Sequence, residues 1–288
     1  MADIIQRPDI MNHQGLVNLR CGAYLGRLCL AGVIAFALLL SGCDDSGGAY
    51  LLSAKAKEQW EAGHYADAAR NFATLAEVHP DHELAGEALF WAANLYQYYL
   101  NQPEEAIRYY QEVLVRFPNG EHALNSRENL ASLFEQDKRT RHRALQTYQQ
   151  LLLAEELKNR RDEFQFKIAS LNLKMGVMDQ SRYEFRRLIT EYPNSELLPE
   201  AYYLVGYSYF LEERHPLAVV AFRDTAKLFP KTKTANRALF FIAEILEEQG
   251  KLKEALREFR NLKGKYHNEK ILDKRIRTLQ SRMRKGVR

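Results

Sequence analysis

One spacing constrains this chain more than any other. A small residue is followed four positions later by an aromatic one, and usually by Pro eight positions after that. The sets are Ala68, Phe72, Pro80; Ala106, Tyr110, Pro118; Ala144, Tyr148; Ser181, Phe185, Pro193; Ala218, Phe222, Pro230; and Ala255, Phe259, with His267 where Pro would fall. Successive small residues lie 38, 38, 37, 37 and 37 positions apart. A fixed period of this length marks a repeat architecture, in which no unit buries its apolar face alone and each stacks on its neighbours.

Each unit reads as two helices. In the fifth, Tyr202, Val205, Gly206 and Tyr209 recur at helical spacing, and a polar break follows at Glu212–Pro216. A second face then runs Ala218, Phe222, Thr225 and Ala226 up to Pro230. Gly206 and Ala218 are small where two helices must cross closely. Tyr202, Gly206, Tyr209, Ala218 and Phe222 are therefore expected to be packing residues. Gly63, Gly176 and Gly250 fall at the turns between helices, where a left-handed residue is useful. The 16 Tyr and 14 Phe concentrate in these patterns, and alternating strand-like runs are scarce, so the fold class is all-α.

These residues resemble the tetratricopeptide repeat, a helix–turn–helix unit with Gly or Ala in its first helix and Ala, an aromatic and Pro in its second. The resemblance implies a right-handed superhelical solenoid of six helix pairs over residues 49–268. The longer joins, HPDHELAGEA, FPNGEHALNS, YPNSELLPEA and FPKTKTANRA, resemble the envelope lipoprotein branch of that family, which includes the BamD-like outer-membrane assembly lipoproteins. In the family the first helix of each pair lines an inner groove. Carried onto this chain, the groove positions are Trp60, Trp91, Tyr98, Tyr99, Phe166, Tyr203, Tyr207, Phe210 and Phe240, with Lys57, Glu61, Lys174, Glu200, Arg237 and Glu244 beside them. Rigid rings next to charges suit protein or peptide recognition. Of the fifth unit, Tyr203, Tyr207 and Phe210 are expected to face a partner.

The front end is a different kind of sequence. Arg20 and Arg27 precede an apolar run, Leu28 to Leu40, of signal-peptide length and short for a membrane span. It ends in Leu40-Ser41-Gly42-Cys43, which resembles the bacterial lipobox. The resemblance implies a signal peptide over residues 1–42, a lipidated Cys43, and a short tether over residues 43–48. Met11 is an alternative start. Cys21 and Cys29 lie in the leader, so the mature chain would keep only Cys43, with no disulfide or thiol chemistry. An acylated terminus implies a cell-envelope protein facing the periplasm, with the outer membrane expected. Asp44 resembles the retention signal that holds lipoproteins of enteric bacteria in the inner membrane.

Charge is polarised along the chain. Residues 251–288 carry 14 Lys and Arg against 4 Asp and Glu, whereas residues 43–250 carry 24 against 31. Asn268 to Lys285 reads as a capping helix with an apolar stripe of Ile271, Ile276, Leu279 and Met283. Lys274, Arg275, Arg277 and Arg282 are its candidate docking residues for an acidic protein surface or anionic lipid. The third repeat departs most from the pattern. Its turn is the basic run Lys138 to Arg143, and its second helix is expected to continue through Leu153 to Lys158.

Signals of chemistry are weak. There is no Gly-rich phosphate loop, no G-x-S-x-G and no H-E-x-x-H. His79, Asp81 and His82 sit in a join whose counterparts lack ligands, so they read as loop residues. The paired acids at 104–105, 155–156, 212–213 and 247–248 read as solvated faces. The expected role is a non-enzymatic scaffold, without metal or other cofactor and without nucleic acid. The lipoprotein resemblance implies outer-membrane β-barrel assembly. A scaffold for a pilus, polysaccharide-export or cell-wall machine is the alternative.

Overall fold

The computed structural model describes residues 46–285. The leader, Cys43 and the first tether residues lie outside the described residues. Within them are thirteen α-helices and no strand. The helices are α1 (Ser46–Glu61), α2 (Tyr65–Val78), α3 (Ala85–Tyr98), α4 (Pro103–Arg116), α5 (Ala123–Gln136), α6 (Arg141–Leu153), α7 (Arg161–Lys174), α8 (Met178–Glu191), α9 (Leu198–Leu211), α10 (His215–Leu228), α11 (Lys233–Glu248), α12 (Leu252–Asn261) and α13 (Glu269–Lys285). None of them is long and apolar enough to cross a membrane.

Each helix packs on the next in sequence, and α9 also touches α7 and α11. The helices form six antiparallel pairs, α1/α2 to α11/α12, stacked as a solenoid, with α13 on the last pair. The periodic residues hold each pair together. Ala68, Ala106, Ala144, Ser181, Ala218 and Ala255 are fully buried, and the aromatics four positions on are no more than 2% exposed. Burying such a ring contributes about 1.5–3 kcal/mol. The Ser181 hydroxyl satisfies itself on the Ala169 carbonyl of the facing helix at 2.9 Å. A second helix ends two residues before each Pro, at Val78, Arg116, Glu191 and Leu228, because the residue preceding Pro disfavours helix.

The turns confirm the glycine reading and extend it. Gly63, Gly176 and Gly250 have φ of 80°, 81° and 73°. In two other pairs, Asn101 (φ 51°) and Glu213 (φ 57°) take the left-handed conformation instead. Sequence alone does not flag Glu213, since an exposed Glu carries no turn signal.

Two expectations about local structure are corrected. The second helix of the third repeat does not run to Lys158. It stops at Leu153, Ala154 is extended, and residues Glu155–Arg160 form a 3-10 turn. In the basic turn before it, Arg139 pairs with Asp137 and Arg141 donates to the carbonyls of Glu135 and Lys174, while Arg143 stacks on Phe134 without an ion pair among the described residues. In α13 the buried stripe is Leu272, Ile276 and Leu279, with Met283 partly buried, whereas Ile271 is exposed. Leu272 fits the 3–4 spacing to Ile276 and Leu279 better than Ile271 does.

Candidate protein-binding surface

The first helices of the pairs, α1, α3, α5, α7, α9 and α11, make an inner row. Most of its charges are spent on joining neighbouring repeats. Lys57 of α1 reaches Glu87 of α3 (3.6 Å), and Lys174 of α7 pairs with Glu135 of α5. Arg237 of α11 pairs with Glu200 of α9 (2.9 Å), and Arg275 of α13 with Glu244 of α11 (2.5 Å). The 3-10 turn delivers Arg160 to Glu128 of α5 through two hydrogen bonds, at 2.8 and 3.0 Å. These pairs span 30 to 39 residues, so local sequence spacing does not disclose them. Exposed pairs of this kind contribute little individually, about 0–1 kcal/mol. Their effect is positional: they fix neighbouring first helices, which carry the rings, relative to one another.

The rings fall into two basins. In the N-terminal one, Trp60 and Trp91 lie 5.0 Å apart, Trp60 and Tyr99 6.2 Å, and Tyr65 and Tyr99 4.3 Å. The Trp91 indole N–H donates to Glu87 at 3.1 Å, which fixes the ring. His122 stacks on Phe90 beneath. Tyr98 and Tyr99 are 51% and 46% exposed. The Tyr98 hydroxyl donates to Asn129 of α5 at 3.3 Å, and burial followed by the nearby Glu128 charge raises its pKa. Asn129 in turn donates to the buried Tyr110 hydroxyl at 2.9 Å. A cavity of about 250 Å³ lies beside this network, walled by Tyr98, Glu128, Ser132, Arg160 and Lys167.

The C-terminal basin centres on a residue the groove mapping missed. Phe241 lies 5.5 Å from Tyr207, 5.0 Å from Phe210 and 5.5 Å from Phe222. Tyr207 and Phe210 are partly buried. The structure corrects two other positions. Tyr203 is 2% exposed: Arg237 covers it at 4.1 Å, and burial pushes its hydroxyl up to about 12 despite that cation. Phe240 is likewise buried, stacked on Tyr266 at 4.5 Å. Packing of α11 on α9 closes over Tyr203, and Phe259 of α12 with Tyr266 closes over Phe240, effects absent from a single repeat's pattern. Phe166 joins neither basin. It packs edge-on to the buried Phe185 at 5.6 Å.

At the C-terminal end, the four candidate docking residues divide. Arg275 and Arg282 turn inward onto α11, where Glu247 accepts from Arg282 at 2.6 Å. They hold the cap and are not free to dock. Lys274 and Arg277 point outward with no ion pair among the described residues. His82 accepts from the Leu84 N–H at 3.1 Å as part of its loop. Among the described residues, no group of three or more His, Cys, Asp or Glu is placed to hold a metal ion.

Comparison with known proteins bears on the repeat unit. Residues 87–120 and 163–195 match one model of the tetratricopeptide repeat, and residues 53–97 match a second. The matched segments coincide with parts of the first, second and fourth helix pairs described above. These segments of the chain match the tetratricopeptide repeat. No curated protein matches it in sequence. Among solved structures it is similar to a tetratricopeptide repeat protein from Parabacteroides merdae, at 15% identity and TM-score 0.56, covering 81% of this chain and 87% of that one. It is also similar to the C-terminal part of a tetratricopeptide repeat-containing protein from Cytophaga hutchinsonii, at 15% identity and TM-score 0.53, covering 73% of this chain and 77% of that one. At this identity the likeness establishes the tetratricopeptide solenoid as the fold. Tetratricopeptide repeats of this kind serve as protein-interaction scaffolds, which agrees with rings gathered on one row of helices.

Proposed function

We propose that this chain is a membrane-anchored scaffold of the bacterial envelope that binds an extended protein segment along its inner row. The observation that carries the binding role is the N-terminal basin. Tyr99 stands half exposed against Trp60, which packs on Trp91, and the neighbouring Tyr98 stands half exposed on the side of α5, while Lys57 and Glu87 nearby are already paired with each other. Rings held rigid in this way offer contact area at little entropic cost on binding. Tyr207, Phe210 and Phe241 form a second grip further along.

Anchoring rests on Leu40-Ser41-Gly42-Cys43 and the apolar run before it. Lipid on Cys43 would hold the first repeat near the membrane surface, because the tether is short. The lipobox, the short tether and the lengthened joins together support a role in outer-membrane β-barrel assembly, in the manner of BamD-like lipoproteins. The outwardly directed Lys274 and Arg277 would then dock an acidic surface of another subunit.

The experiment is purification of the tagged chain from membranes in mild detergent, with identification of what accompanies it. Recovery of β-barrel assembly proteins supports the reading. Recovery of pilus, polysaccharide-export or cell-wall machinery replaces it with another envelope assembly. Metabolic labelling with a clickable palmitate analogue tests the anchor: label on the wild type and none on Cys43→Ser is expected, and an unlabelled wild type sinks it.

A further inference from the structure

We infer that the outer row carries a second docking site, a cleft between α4 and α6 that accepts an acidic amphipathic segment of a partner protein. Helices α4 and α6 both pack on α5, and the space between them is a cleft of about 440 Å³. Leu114, Val115, Leu130 and Phe134 supply its apolar surface, and Arg127 and Arg143 supply its charge. The other lining residues are Gln and Thr, and no Asp or Glu is among them.

Two features separate this cleft from an ordinary furrow between outer helices. The first is its exposed apolar edge. Val115 is 80% exposed, and Leu153, at the corresponding position of the next repeat, is 79% exposed. Leu153 lies three residues beyond the lining residue Gln150, on the same side of α6. These two side chains extend the apolar surface of the cleft outward.

The second feature is electrostatic. Lys57, Lys174 and Arg237 of the inner row have carboxylate partners on neighbouring helices. Arg127 and Arg143 have no ion-pair partner among the described residues, and Arg143 rests instead on the Phe134 ring at 4.0 Å. Two unneutralised guanidinium groups over an apolar floor complement a segment that presents Leu, Ile or Phe at helical spacing with Asp or Glu alongside. This selects against a basic or purely apolar occupant, since each leaves the guanidinium groups desolvated without a counter-charge.

The test uses the full chain in detergent and a phage-displayed random peptide library, counter-selected against the Arg127→Glu/Arg143→Glu variant. The counter-selection discards peptides that bind the inner row. Enriched peptides are expected to be rich in Asp and Glu with recurring Leu, Ile or Phe. They are expected to bind the double variant roughly tenfold more weakly or worse. Val115→Glu, at a position open enough to leave packing intact, should lose the same peptides, while Tyr99→Ala should keep them. Enriched peptides that are neutral or basic, or an absence of any that distinguish wild type from the variant, would overturn the proposal. So would a wild-type dimer in sedimentation that the double variant dissolves, because the occupant would then be a second copy of this chain.

Discussion

Gly206 lies directly under the ring of Phe222: a Cβ added at Gly206 would stand 2.7 Å from Cδ1 and 2.8 Å from Cε1. The ring cannot easily retreat, since Tyr203 and Phe241 pack against it at 5.6 and 5.5 Å. Gly206→Ala gains about 1 kcal/mol of helix propensity. It also overpacks a closed site, at a cost of about 1–3 kcal/mol. The second effect wins, so thermal unfolding should move to lower temperature. Phe222→Leu in the same chain should recover part of the loss, and strict additivity in the double-mutant cycle would count against direct contact.

Glu213 should respond in the opposite direction. Its φ of 57° places a Cβ-bearing residue in the left-handed region, at a cost of about 1–2 kcal/mol. Glu213→Gly relieves that strain and gives back part of it as unfolded-state entropy, for a net gain of about 0.5–1 kcal/mol. Gly176→Ala should lose a similar amount, because its φ is 81° and nothing lies within 4 Å of an added Cβ. Equilibrium urea unfolding of both variants checks the pair of signs.

The cap should separate from the docking surface under mutation. Arg275→Glu with Arg282→Glu removes the counter-charges of Glu244 and Glu247 and sets like charges against them. Both arginines are about half exposed, so the expected loss is only about 1–2 kcal/mol. Lys274→Glu with Arg277→Glu should leave stability unchanged and weaken partner retention at low salt. Calorimetry and pull-down on both double variants test the split. A large stability loss from the Lys274/Arg277 pair would show that those side chains also hold the cap.

Glu135 gives a pH-dependent contribution with a definite sign. Burial alone would raise its pKa, but Lys174, Lys167 and the Tyr148 hydroxyl overcome that and hold it below the ordinary carboxylate value. Its stabilisation is therefore present above the unfolded-state pKa and lost as pH falls through the lower folded value. The stability difference between wild type and Glu135→Gln should be positive at neutral pH and vanish in acid. A difference that persists unchanged at low pH would contradict the assignment.

The six pairs were legible because each repeat writes the same local requirement. A small residue such as Ala218 admits an aromatic such as Phe222, and Pro230 stops the helix soon after. The inner surface was less legible, because neighbouring repeats decide it. Tyr203 carries the same residue type as Tyr207, yet α11 covers the one and leaves the other partly open. Phe241 was missed because the family register selects Phe240, one position away, and a one-residue shift on a helix turns a side chain by about 100°. The pairing of Arg160 with Glu128 depends on how the irregular third join folds, and no repeat pattern encodes that join.

The central claim, that the inner row binds a protein through its N-terminal aromatic basin, is tested most directly by photo-crosslinking in the producing cells. A photoreactive phenylalanine analogue would replace Tyr98 or Tyr99 in the basin, with Val220, exposed on α10, as the outer-row control. A discrete protein adduct at positions 98 and 99, absent at 220 and lost on adding Trp60→Ala, is the predicted result. No adduct at either tyrosine, or the same adducts at position 220, would contradict it.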